Sequence, residues 1–153
     1  MLRISAEPID AGRELKQFES RATSAGGIVT FSGQVRPHAK QGPGDTLFLQ
    51  AYAPMTETGI ESAMAEARTR WDLESILVLH RIGEMHPGDT IVFVATAARH
   101  RRAAFEAADF LMDYLKTEAV FWKKEETATG AHWIEPRDDD YADAARWTKK
   151  ETV

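Results

Sequence analysis

The alternation of apolar and polar positions divides the chain into strands and helices. From Gly27 to Arg36 (GIVTFSGQVR), Val29, Phe31, Gly33 and Val35 fall on one face and Ile28, Thr30 and Ser32 on the other, the period-2 signature of a strand. Pro37–Asp45 carries two prolines and two glycines and reads as a long loop, after which Thr46–Tyr52 predicts a second strand. Thr56 is placed to cap a helix, because Ile60, Ala63, Met64, Ala67 and Trp71 then recur at helical spacing. Two apolar, β-branched runs, Ser75–Ile82 and Thr90–Thr96, flank a turn spelled by Pro87, Gly88 and Asp89 and predict neighbouring antiparallel strands. A long helix is expected from Arg99 to Lys116, with Ala104, Ala107, Ala108, Leu111 and Leu115 on one stripe. Val120–Glu126 and His132–Glu135, on either side of Thr129 and Gly130, predict a closing hairpin. Ahead of all these, Ala11–Arg21 reads as a short helix with Leu15 and Phe18 inward.

From Thr46 onward the order is strand, helix, strand, strand, helix, strand, which matches the split βαβ pattern of ferredoxin-like domains. The expected fold is α+β, a ferredoxin-like split βαβ core with an additional β-hairpin subdomain. With 153 residues the chain fits one domain over 1–153, in which 1–26 form an N-terminal extension and 138–153 a polar C-terminal tail with Trp147 as a docking point.

Composition narrows the function. The net charge is -5, which argues against bulk binding to nucleic acid. There is no cysteine, which excludes disulfides, thiolate metal sites and thiol-based sulfur carriage within the chain. His38, His80, His86, His100 and His132 show no metal-ligand spacing, and no nucleophile elbow, P-loop or dinucleotide fingerprint occurs. No secretory leader or membrane-spanning run is visible, so a cytoplasmic location is expected.

Candidate chemistry is basic. Arg99, His100, Arg101 and Arg102 crowd the start of the second long helix, where the backbone dipole is already positive, and such a cluster suggests an anion partner or a solvated turn. Lys116 ends that helix and Lys123 follows seven residues later. Each can bind an anion or, when desolvated, act in catalysis; each is also what an ordinary surface carries. Arg36 and Arg137 are unremarkable alone.

Together, VTFSGQVR (29–36), YAPMTE (52–57), LHRIGEMHPGDTIVFV (79–94), RHRRAAFEAADFLMDYLKTEAVFWKKE (99–125) and WIEPR (133–137) resemble the catalytic, large subunit family of molybdopterin synthase. The resemblance implies an enzyme of molybdenum cofactor biosynthesis, a sulfurtransferase that converts cyclic pyranopterin monophosphate to molybdopterin and needs no cofactor. It implies a homodimer carrying at each end a small ubiquitin-like partner, whose C-terminal Gly-Gly thiocarboxylate delivers the sulfur. Matched motif by motif, substrate-binding positions fall on Gln34, Val35, Arg36, His100, Arg101, Lys116, Lys123, Lys124, Glu125 and Arg137, with Lys116 and Lys123 catalytic. The family often has Lys where this chain has Gln34. The competing expectation is a non-catalytic, ferredoxin-like dimeric module that binds a small anion.

His100 and Lys116 stand at opposite ends of one expected helix, roughly 24 Å apart at the α-helical rise. A pterin monophosphate, on the order of 10 Å long, cannot span that distance. Either the two clusters serve different ligands or a second copy of the chain brings its His100 and Arg101 beside the first copy's Lys116, and the shared site is the arrangement expected.

Overall fold

A computed structural model describes residues 1–37, 46–127 and 130–148. In chain order the elements are β1 (Leu2–Ser5), α1 (Ala11–Arg21), β2 (Gly27–Gln34), β3 (Thr46–Ala51), α2 (Met55–Arg70), β4 (Leu73–Arg81), β5 (Gly83–Met85), β6 (Thr90–Ala98), α3 (Arg101–Thr117), β7 (Phe121–Thr127), β8 (Gly130–Trp133) and α4 (Asp138–Ala145). They form two four-stranded sheets, ordered β1-β4-β6-β2 and β5-β3-β7-β8.

The first sheet is covered on both faces, and its central strands show why. Ile76–His80 of β4 and Val92–Ala98 of β6 are buried without interruption, the pattern of strands with apolar neighbours on each side. Ile76, Val78, Val92 and Val94 pack with Ile60, Met64 and Ala67 of α2 and with Ala108, Leu111 and Leu115 of α3. On the other face Leu77, Leu79, Phe93 and Ala95 pack with Phe18 and Ala22 from α1 and its end. β4 and β6 are antiparallel, as their flanking turn predicts, with Val78 opposite Val94.

Residues 1–26 are woven into this layer. β1 runs parallel to β4 with Leu2 opposite Val78, and Asp10 caps α1 by accepting the Arg13 N–H at 3.1 Å. Four residues are too few for β1 to announce itself by periodicity.

The α+β class with an added hairpin is what folds, but the strands are shared out differently from the order read after Thr46. β3 and β7 pair with each other in the second sheet. Leu49 is buried while Phe48 and Gln50 are exposed, so β3 has one apolar face and suits a sheet covered on one side. β2 takes the edge of the first sheet because Ile28 and Val29 pack into the two cores on its opposite faces. Only Ile82 separates β4 from β5, and Gly83, at φ +86°, turns the chain from one sheet into the other.

Thr56 does not cap α2. The helix begins at Met55, and the buried Thr56 hydroxyl accepts the Tyr52 N–H at 2.8 Å and donates to the Val120 carbonyl, tying the end of β3 to the approach to β7. The other boundaries move by a few residues: β2 stops at Gln34 in an irregularity after Gly33, and α3 begins at Arg101. Residues 38–45 of the expected loop, and Thr129 of the hairpin turn, lie outside the described residues.

Candidate active site

Lys116 lies in the last turn of α3, beside the stripe that buries Leu111 and Leu115, and its side chain is exposed. A cation there suits the negative end of the helix. Lys123 reaches the same region from β7. Its register partner is the buried Leu49, so alternation turns Phe121, Lys123 and Glu125 toward the inner face of the second sheet and Trp122, Lys124 and Glu126 outward. Between these elements and the segment entering α4 lies a cleft of about 460 Å³. Arg36, Lys116, Lys123 and Arg137 bring four cations to it; Phe121, Ile134 and Tyr141 supply apolar surface, and Asp140 an anion.

Burial drives the pKa of Lys123 down to about 8; the neighbouring charge of Lys116 lowers it further, against the opposing pull of Asp140. At neutral pH Lys123 is still mostly an ammonium, but one that gives up its proton far more readily than a surface lysine. Burial alone would raise the pKa of Asp140, but hydrogen bonds from Arg137, backbone N–H at 2.9 Å and guanidinium at 3.3 Å, together with the charges of Arg137 and Lys116, hold it below the usual carboxylate range. Behind the cleft, His80 is buried with its ring stacked on Phe121 at 4.2 Å and Nδ1 3.0 Å from the Arg81 carbonyl oxygen. Burial pushes its pKa down to about 4 despite the Arg81 contact, with Lys123 and Lys116 adding to the effect, so it is neutral at pH 7.

The remaining candidates lie elsewhere or act indirectly. Val35 exchanges backbone hydrogen bonds with the turn before β6, its N–H to the Asp89 carbonyl at 2.9 Å and its carbonyl to the Gly88 N–H at 2.8 Å, and this anchors the chain that delivers Arg36. Gln34, just before it, is exposed. Glu125 sits on the inner side of β7 opposite Leu47. Lys124 is on the outward face, 3.6 Å from Glu126. His100 and Arg101 are exposed at the far end of α3, where a Cβ on Gly27 would lie 3.5 Å from the Arg101 Cα.

Asp140, Tyr141 and Phe121 in the cleft, and His80 behind it, were not singled out by the pattern of the sequence. Asp140 sits in a run of three aspartates that reads as a solvated tail, although an acid three residues after the residue that starts a helix is a capping signal. His80 is hidden inside an apolar strand. On the outer face of the second sheet Phe48 and Trp122 are 42% and 49% exposed, Tyr52 meets Trp122 edge-on at 6.0 Å, and Trp122 also borders the cleft.

A family model described as MoaE protein matches residues 4–118. This chain belongs to the MoaE family. The molybdopterin synthase catalytic subunit of Yersinia pestis is 45% identical to it over 146 residues, 95% of this chain and 96% of that protein. The molybdopterin biosynthesis MoaE protein from Burkholderia ambifaria superposes with a TM-score of 0.80 at 39% identity, covering 98% of this chain and 99% of that one. A protein–protein complex of subunits 1 and 2 of molybdopterin-converting factor from Helicobacter pylori shares the fold, with a TM-score of 0.76 at 20% identity over 89% of this chain and 91% of that one. Among the described residues of this MoaE chain, no helix is long and apolar enough to cross a membrane.

Proposed function

We propose that this chain is the catalytic subunit of a molybdopterin synthase. In this reading it is a cytoplasmic sulfurtransferase that converts cyclic pyranopterin monophosphate to molybdopterin with sulfur from the C-terminal thiocarboxylate of a small ubiquitin-like partner ending in Gly-Gly. The observation that carries the reading is the cleft itself, in which Arg36, Lys116, Arg137 and a half-buried Lys123 converge on a volume that suits a small molecule. Phosphate and thiocarboxylate are both anions, and four cations on partly apolar walls attract both. The chain has no cysteine, so the sulfur must come from another molecule.

In each transfer the thiocarboxylate sulfur bonds a carbon of the pterin side chain as an oxygen substituent leaves that carbon, joining partner and pterin through a thioester; water then adds to the acyl carbon and breaks the partner's carbon–sulfur bond, leaving the sulfur on the pterin and a carboxylate on the partner. Negative charge develops on the oxygen that leaves the pterin in the first half of this exchange and on the acyl oxygen in the second. Lys116 and Lys123 are the groups whose ammonium hydrogens stabilise that charge, and Lys123, with its pKa near 8, can also give and take a proton. Arg36 and Arg137 hold the substrate phosphate, Gln34 contributes backbone, and Val35 anchors the chain that delivers Arg36. Glu125 belongs to the inner wall, while the outward position of Lys124 suits contact with the partner better than contact with substrate. The exposed row of Phe48, Tyr52 and Trp122, continuous with the cleft through Trp122, is the seat for the body of that partner.

His100 and Arg101 cannot join Lys116 on one chain, since α3 holds them about 24 Å apart. A second copy supplies them, so the working unit is a homodimer with a small partner at each end. The test is incubation of the purified chain with thiocarboxylated partner and cyclic pyranopterin monophosphate, followed by detection of molybdopterin. Product should form, and removing the partner's terminal Gly-Gly should abolish it. A folded, partner-bound chain that forms no product would overturn the proposal.

A further inference from the structure

α4 is eight residues long and buries none of its side chains, and a helix of that length does not hold itself together in water. Its place nonetheless matters, because Arg137 at its N-cap and Asp140 and Tyr141 in its first turn line the cleft. What fixes it lies at the other end. Trp147 packs edge-on against Trp71 at 5.6 Å and Phe110 at 5.7 Å, and its carbonyl accepts a hydrogen bond from Arg70 at 2.7 Å. The Trp147 indole Nε1 donates to Asp113 Oδ2 at 2.6 Å, and Arg146 donates to the same oxygen at 2.7 Å. Asp113 is buried on α3 and stands three residues, about one turn, before Lys116. One carboxylate therefore joins the helix that carries Lys116 to the segment that carries Arg137.

We propose that Asp113 and Trp147 are positioning residues, forming a latch that sets Arg137 and Asp140 against Lys116 and thereby fixes the affinity of the cleft for its anionic substrate; this role rests on the reading of the cleft as the substrate site. The hydrogen bonds to Asp113 are charge-assisted or short and directional, and the Trp147 ring meets those of Trp71 and Phe110 at near-right angles, so the latch specifies an orientation as well as a contact. With the latch open, nothing in the interior of α4 returns Arg137 to the cleft, because that helix has no buried side chain of its own.

The experiment compares Trp147→Ala, Trp147→Phe and Asp113→Asn with Arg137→Ala, by amide hydrogen exchange and by steady-state kinetics of the chain assembled with thiocarboxylated partner. In Trp147→Ala, exchange over residues 138–145 should accelerate by about tenfold or more while that of 104–111 stays unchanged, as for local rather than global opening. KM for cyclic pyranopterin monophosphate should rise about tenfold with kcat nearly constant, the mark of lost uniform binding. The double variant Trp147→Ala with Arg137→Ala should be no worse than Arg137→Ala alone, since both remove one contact. Trp147→Phe, which keeps the packing and loses only the indole donor, should fall between wild type and Trp147→Ala, and with Asp113→Asn it carries the test if Trp147→Ala does not fold. An unchanged KM in the latch variants, or effects that multiply with Arg137→Ala, overturns the proposal. If Arg137→Ala itself leaves KM unchanged, the substrate-site reading falls and the role of the latch in affinity with it, whereas exchange at 138–145 still shows whether the latch holds α4.

Discussion

The two ends of α3 carry similar charge and very different surroundings. At the N-terminal end, Arg101 and Arg102 follow His100 with no acidic residue in the first turn and no side-chain cap, against the sense of the helix dipole, and all three side chains are exposed. At the C-terminal end Lys116 agrees with the dipole, and β7 and α4 build walls around it that bring Lys123, Arg137 and Asp140 close. A cluster of cations becomes a site when other elements enclose it. In the proposed reading the N-terminal cluster is completed by a surface from outside the chain. It lies beside β2, an open edge of the first sheet, where Phe31 and Phe105 are also exposed. That arrangement suits a second copy, whose walled Lys116 end would meet the unwalled Arg101 end of the first.

The comparison breaks most sharply on the lysine. Lys116→Ala should cut the rate by on the order of 10² or more, as for loss of one oriented charge at a reacting centre, with a nearly unchanged Tm because the side chain is exposed. Arg101→Ala should also inactivate. Chains carrying Lys116→Ala and Arg101→Ala, refolded together, should regain about a quarter to a half of the activity through mixed dimers with one intact site. Mixed dimers verified by differential tags but lacking activity would show that the two ends of α3 do not serve a common site.

A smaller effect should appear in stability at Lys123. Its proton is held about 2.5 pH units less tightly in the folded chain than at the ordinary value of 10.5, at a cost on the order of 3 kcal/mol near neutral pH. Lys123→Met should therefore raise Tm by several degrees while losing activity. The unfolded chain binds the extra proton between pH 8 and 10.5, so wild-type stability should gain on the variant as pH rises through that window. A Tm gap that stays constant from pH 7 to 10 would count against a buried ammonium.

The smallest effect concerns His80. Its folded pKa near 4 lies below the unfolded 6.5, so its contribution is fully present above pH 6.5 and is lost as pH falls toward 4. His80→Phe, which preserves a ring against Phe121, should flatten the fall in Tm over that range; an identical slope in the variant would place the acid sensitivity elsewhere.

How much of this the residues disclose depends on periodicity. The stripe of α3, the paired runs of β4 and β6, and the hairpin of β7 and β8 are long or regular enough to be read directly. β1 is not, and the division of strands between two sheets is not local information. It depends on whether a strand such as β3 has one apolar face or two, and on which neighbour covers it. The cleft was half legible. Arg36, Lys116, Lys123 and Arg137 are charged residues in recognisable motifs, and they meet. The burial of Lys123 could not be read from its type, because lysine at an inward strand position looks like lysine at an outward one until the register with Leu49 is known. Asp140 was concealed by its aspartate neighbours, and His80 by the apolar strand around it.

The single residue between β4 and β5 also bears on the order in which the molecule assembles. Because Ile82 alone separates them, the second sheet is inserted into the first as excursions: β3, then β5, then β7 with β8. Leu2 finds Val78, and Ala51 finds Phe121, across about half the length of the chain, and such distant pairings are slow to close because the intervening loop loses entropy before any contact compensates. The cleft borrows Arg36 from beyond β2, Lys116 from α3, Lys123 from β7 and Arg137 from the start of α4. Its cations therefore converge only where those distant pairings are in place, and a chain that lacks them has no cleft to hold substrate.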